Sequence, residues 1–70
     1  MEDIHMYKII IDGADTEVTI AAFEMAIFFC EQEYGYEGEA WELIKKSNDF
    51  HELADFLTGD GIYAEVVKIL

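Results

Sequence analysis

The stretch that decides the fold is residues 4–20, IHMYKIIIDGADTEVTI. Ile4 to Ile11 is β-branched and apolar, and Asp12-Gly13 follows it as a turn signal. Glu17 to Ile20 reads as a short return strand, which gives a hairpin with an Asp12–Asp15 loop. Working outward, Thr19 is a candidate N-cap for a helix running to about Tyr34, with Gly35 as its stop. A second helix fits Gly38 to Lys46, with Glu near its start and Lys45-Lys46 at its end, as the helix dipole prefers. Asn48 or Asp49 can cap a third helix, and Asp49 with Glu52 has capping-box spacing. That helix is expected to end before Gly59-Asp60-Gly61, and Ile62 to Ile69 reads as a closing strand. The expected fold class is α+β: one domain over residues 1–70 in the order β-β-α-α-α-β. Its helices pack on one face of a small antiparallel or mixed sheet.

The first helix is apolar nearly all round. Phe23, Ile27, Cys30 and Tyr34 follow core-stripe spacing, while Ala22, Met25 and Phe29 fall on roughly the opposite side, with Phe28 nearby. The favoured expectation is a central helix between the sheet and the two shorter helices. The alternative leaves Met25, Phe28 and Phe29 exposed as a homodimer or partner interface.

Charge dominates the composition. Sixteen Asp and Glu stand against four Lys and no Arg, so the net charge is −12 on 70 residues. With 53% apolar and 14% aromatic residues the chain has the material for a core, and the charge must sit on a folded surface. A magnitude of roughly 2–8 suffices for the solubility of a small domain, so the excess points to a basic partner. Between Lys8 and Lys45 lie thirty-six residues with nine acids and no base. Glu31, Glu33, Glu37, Glu39 and Glu42 crowd the junction of the first two helices and are the first candidates for partner contacts, with Asp12, Asp15 and Glu17 next. Twelve charges match those on roughly 20 Å of duplex DNA. The absence of a basic patch argues against direct nucleic-acid binding and against anionic membranes.

Catalytic chemistry is not expected. Ser47, the only serine, and His51 have no nucleophile elbow or Gly-rich oxyanion loop beside them. His5 and His51 lack a metal-spaced partner. Asp12 to Glu17 and Asp60 to Glu65 begin like calcium loops without completing the twelve-residue ligand pattern. No metal or cofactor is assigned. Cys30, amid apolar neighbours, is expected to be a buried thiol with a raised pKa. The longest apolar run, Ile20 to Cys30, is broken by Glu24 and is too short to span a bilayer, and with no basic n-region before an apolar h-region a Sec-type signal is not expected. A cytoplasmic location in a host cell is expected.

In size, in the absence of Pro and Arg, and in the base-free stretch from Asp12 to Glu42, the chain resembles small phage-encoded DNA mimics of the anti-CRISPR type. The resemblance is one of composition over the whole chain, with no shared motif. It implies an inhibitor of host defence whose target is a basic DNA channel. A type I CRISPR interference complex has such a channel in its DNA-recognising large subunit. The alternative is an acidic interaction module, such as an antitoxin or adaptor neutralising a basic partner.

Overall fold

The isoleucines of the opening hairpin form the centre of a three-stranded sheet. The computed structural model describes residues 6–13 and 16–69. Its elements are β1 (Tyr7–Asp12), β2 (Glu17–Ile20), α1 (Phe23–Tyr34), α2 (Glu39–Ser47), α3 (Phe50–Gly59) and β3 (Tyr63–Lys68). The strand order is β2-β1-β3 and both pairings are antiparallel. Ile4, His5 and Asp15, on which part of the expected hairpin rests, lie outside the described residues. Across the turn, the Gly13 N–H donates to the Thr16 carbonyl at 2.9 Å.

Strand alternation separates the two faces. Ile9 and Ile11 are fully buried, and their cross-strand partners are Ile20 and Val66, and Val18 and Ala64. These six side chains form the floor of the core. Lys8, Ile10 and Asp12 point the other way, because side chains alternate along a strand.

Local backbone chemistry sets the element ends. Thr19 does not cap α1; it pairs with Ile10 inside β2. Pairing with β1 continues through Ile20, so the helix begins only at Phe23, after an Ala22 cap that lacks a side-chain bond. Gly35, in the left-handed region, ends α1 with its N–H on the Glu31 carbonyl. Asn48 adopts a left-handed conformation that closes α2, and Asp49 is the residue that caps α3, its Oδ1 accepting the His51 N–H at 2.8 Å. Glu52 does not complete a capping box, because the Asp49 N–H donates to Ser47 Oγ instead. α3 runs through Gly59 and ends in a Schellman motif. There the Ile62 N–H reaches the Leu57 carbonyl, and the Gly61 N–H reaches that of Thr58.

The helix against the sheet centre is α3, which packs on β1 and β3, whereas α1 lies against β2. The expectation of a central α1 therefore fails. Leu53, Ala54 and Leu57 of α3 are buried beside Ala26, Ile27 and Cys30 of α1. Met25 and Phe28 remain 63% and 59% exposed. α3 is tied to β3 by a tight reversal, which holds it over the strands β3 adjoins and leaves too little chain to cover both sides of α1. Trp41 of α2 is buried against Tyr36 and Phe56, with ring centroids 5.0 and 5.4 Å away.

Candidate functional site

The direction of each element decides which acids meet. The end of β1 pairs with the starts of β2 and β3, so Asp12 stands opposite both Glu17 and Tyr63. The end of α1 reaches the same place: a Cβ on Gly13 would lie 2.6 Å from Tyr34 Oη. So does the end of α3, where the Tyr36 hydroxyl donates to Asp60 Oδ2 at 2.6 Å. One pole of the molecule thereby gathers Asp12, Glu17, Glu33, Asp60 and Glu65 around Tyr34, Tyr36 and Tyr63. Burial first, then the bond to Asp60, holds the Tyr36 phenol above its ordinary range. Burial likewise raises Tyr34, with smaller pushes from Cys30, Glu33 and Asp12.

The lysines lie towards the other pole. Lys68 pairs with Tyr7 at the start of β1, and Lys8 pairs with Val67. Lys45 and Lys46 occupy the last turn of α2, which leads directly into the first turn of α3. His51 at that first turn sets its ring edge-on to Tyr7, 5.4 Å away. Acids remain on the lysine side as well, Glu39 and Glu42 beside Lys46, Glu24 beside Lys45 and Asp49 beside His51, but the acidic pole carries no cationic side chain among the described residues.

The eight acids singled out by sequence divide accordingly. Glu31 Oε2 accepts from Trp41 Nε1 at 2.9 Å and lies 3.1 Å from Lys45 Nζ. Those two bonds, the Trp41 one foremost, hold its carboxyl below the ordinary 4.5. Glu42 Oε2 is 3.4 Å from the same Lys45. Both carboxylates are thus engaged within the fold. Glu33, Glu37 and Glu39 are exposed and make no hydrogen bond or ion pair among the described residues. Asp12 and Glu17 are exposed side by side on the sheet, and Asp15 lies outside the described residues. Asp60 and Glu65 belong with this set although sequence reasoning did not select them. The signal available was the return of Gly59-Asp60-Gly61 to the end of the sheet that holds Asp12-Gly13.

Reactive side chains elsewhere have structural partners. The Ser47 hydroxyl donates to the Ile44 carbonyl at 2.7 Å and accepts the Asp49 N–H. His51 Nδ1 stands 3.4 Å from Asp49 Oδ1. Cys30 is fully buried, and burial together with the charge of Glu31 pushes its thiol up to about 12. Among the described residues no group of three or more His, Cys, Asp or Glu is placed to hold a metal ion, and no helix is long and apolar enough to cross a membrane. No protein-family model, curated protein or solved structure matches the chain.

Proposed function

We propose that this chain is a non-enzymatic inhibitor that imitates nucleic acid and occupies the basic DNA-binding channel of a host defence protein. The target proposed is the DNA-recognising subunit of a type I CRISPR interference complex, met in the cytoplasm of the host cell. The observation that carries this reading is the acidic pole, which gathers carboxylates and no cation among the described residues, on a body of net charge −12. The long dimension of the molecule is 40 Å. A duplex of that length carries about 24 phosphates, roughly half of them turned towards any one side. The net charge is therefore of the magnitude that one side of such a duplex presents.

The channel would be approached under electrostatic steering, and occupation would weaken steeply with salt. The test is competition with target DNA for the purified complex. Replacing Asp12, Glu17, Glu33, Glu37 and Glu39 by their amides, with folding checked by circular dichroism, is expected to abolish competition. Glu42→Gln, whose carboxylate already faces Lys45, is expected to leave it largely intact. Full competition by the five-fold variant, or competition indifferent to salt, would sink the proposal.

The exposure of Met25 and Phe28 favours a second reading, an acidic interaction module such as an antitoxin or adaptor that meets its basic partner, or a second copy, through α1. Phe29 is half-buried against Tyr34, their centroids 6.1 Å apart, and contributes less to that surface. Under this reading Met25→Ala with Phe28→Ala abolishes binding while the amide variants retain it.

A further inference from the structure

The helices cover one face of the sheet, and among the described residues no element packs on the opposite face. Its row nearest the hairpin turn reads Glu17, Asp12, Tyr63 across the three strands, and the next reads Thr19, Ile10, Glu65. Side chains directly opposite one another stand about 5 Å apart and diagonal ones about 7 Å. Tyr63 is 55% exposed, and its hydroxyl donates to Glu65 Oε1 at 3.0 Å. Ile10 and Val67 on the same face are half-buried and stand outside the core cluster. The result is an exposed aromatic ring flanked by Asp12 and Glu65, with Glu17 one strand further across and an apolar strip alongside that Lys8, opposite Val67, borders. The field there is negative at short range: the bond to Glu65 and that carboxylate's charge, with Asp12 adding to them, hold the Tyr63 phenol above its usual range.

We propose that this open sheet face is the docking surface for an arginine presented by a basic protein partner. The proposal deepens the function given above and rests on its premise that the partner is basic. A guanidinium is planar, so it can lie on the Tyr63 ring while its fork of N–H donors reaches the neighbouring carboxylates. Its methylene stem finds apolar cover on Ile10 and Val67. A lysine, a strongly hydrated point charge, would gain the Coulomb attraction without the stacking. A second copy of this chain does not fit, because face-to-face stacking would set Asp12, Glu17 and Glu65 against their own equivalents on two bodies of charge −12. A nucleic acid is repelled by the same charges.

The experiment is a titration of the isotope-labelled protein with hexa-arginine and with hexa-lysine at low salt, followed by amide chemical shifts. The largest shifts are expected at Asp12, Glu17, Tyr63 and Glu65, with hexa-arginine about two- to fivefold tighter than hexa-lysine. Tyr63→Leu, which keeps an apolar side chain in the strand, should weaken hexa-arginine more than hexa-lysine and so erase the preference. Glu65→Gln should weaken both peptides. Equal affinities, shifts centred on the acids of α1 and α2, or a preference that survives Tyr63→Leu would overturn the proposal. Failure of the protein to compete with DNA while these peptide contacts persist would defeat the nucleic-acid reading and leave this surface standing.

Discussion

At the scale of single residues, Glu31 shows how a carboxylate can count towards net charge and yet be taken up by its own fold. It joins α1 to α2 through Trp41 and Lys45. Its folded pKa lies below the ordinary 4.5, so its contribution to stability is present above that value and is lost as pH falls through the lower folded one. Lys45 is raised above 10.5, chiefly by its hydrogen bond to Glu31, so its contribution is present below 10.5 and is lost as pH rises through the higher folded value. Glu31→Gln should therefore melt below the parent at neutral pH, and the difference should close as the solution is acidified below 4.5. Thermal melts of both proteins across that range check this; a gap independent of pH would refute it. None of this was legible in the sequence. Glu31 and Trp41 are ten residues apart, and their meeting depends on how the Gly35–Gly38 loop reverses the chain. By contrast the raised thiol of Cys30 could be read from its apolar neighbours, because burial is a local consequence of the helical stripe.

Among the elements, the turn at the end of α3 gives the sharpest expectation. Gly61 has φ +85° with nothing within 4 Å of a notional Cβ, so a side chain there meets only backbone strain. Gly61→Ala should cost about 1–2 kcal/mol, the left-handed penalty for an L-residue. Gly59, the last residue of the helix and equally unobstructed, has the opposite expectation: Gly59→Ala should stabilise by roughly 0.5–1 kcal/mol. Urea denaturation of the pair should show opposite signs, and equal signs would contradict the Schellman assignment. The hairpin contains a tension of its own. Asp12 and Glu17 are directly opposed, and like charges in that position destabilise a sheet. Glu17→Gln should accordingly raise stability by about 0.2–1 kcal/mol while weakening attachment to a basic partner. A variant that is destabilised would show the pair to be harmless. Element identity and order were readable because Asp12-Gly13, Gly35 and Gly59-Asp60-Gly61 act through local backbone geometry. The placement of α3 over the sheet centre was not readable. α1 and α3 both carry an apolar stripe, and only the antiparallel β1–β3 pairing with the tight turn before β3 decides between them. Thr19 misled for a related reason, since its strand partner Ile10 wins over its capping potential.

Over the whole molecule, the charges proposed to meet a partner also oppose folding. Raising ionic strength from about 20 mM to about 0.5 M shrinks the Debye length from roughly 20 Å to a few ångströms, well inside the dimensions of this body. Self-repulsion of a −12 chain should then relax, and the melting midpoint should rise. Each 1 kcal/mol so gained is worth about 4–8 °C in a domain of this size. A midpoint that falls or stays fixed across that series would mean the surface charge is not under strain. The same addition of salt should weaken binding, so stability and affinity are expected to move in opposite directions. The base-free stretch gave part of the candidate site in advance, and Asp12 and Glu17 were legible through the hairpin. Asp60 and Glu65 were not, because their place depends on strand pairing across some fifty residues of chain.

Lys8, Lys45, Lys46 and Lys68 lie away from the pole that holds Asp12, Glu33 and Asp60. A body charged in this way has a permanent dipole as well as a net charge. In the field of a basic surface such a body is rotated before it arrives, so that encounters begin with the correct end leading. The fraction of collisions that are productive should depend on where the four lysines stand as well as on how many acids there are. Moving one lysine to the acidic pole while deleting one at the other leaves the net charge untouched, and it should slow association and spare the rate of release.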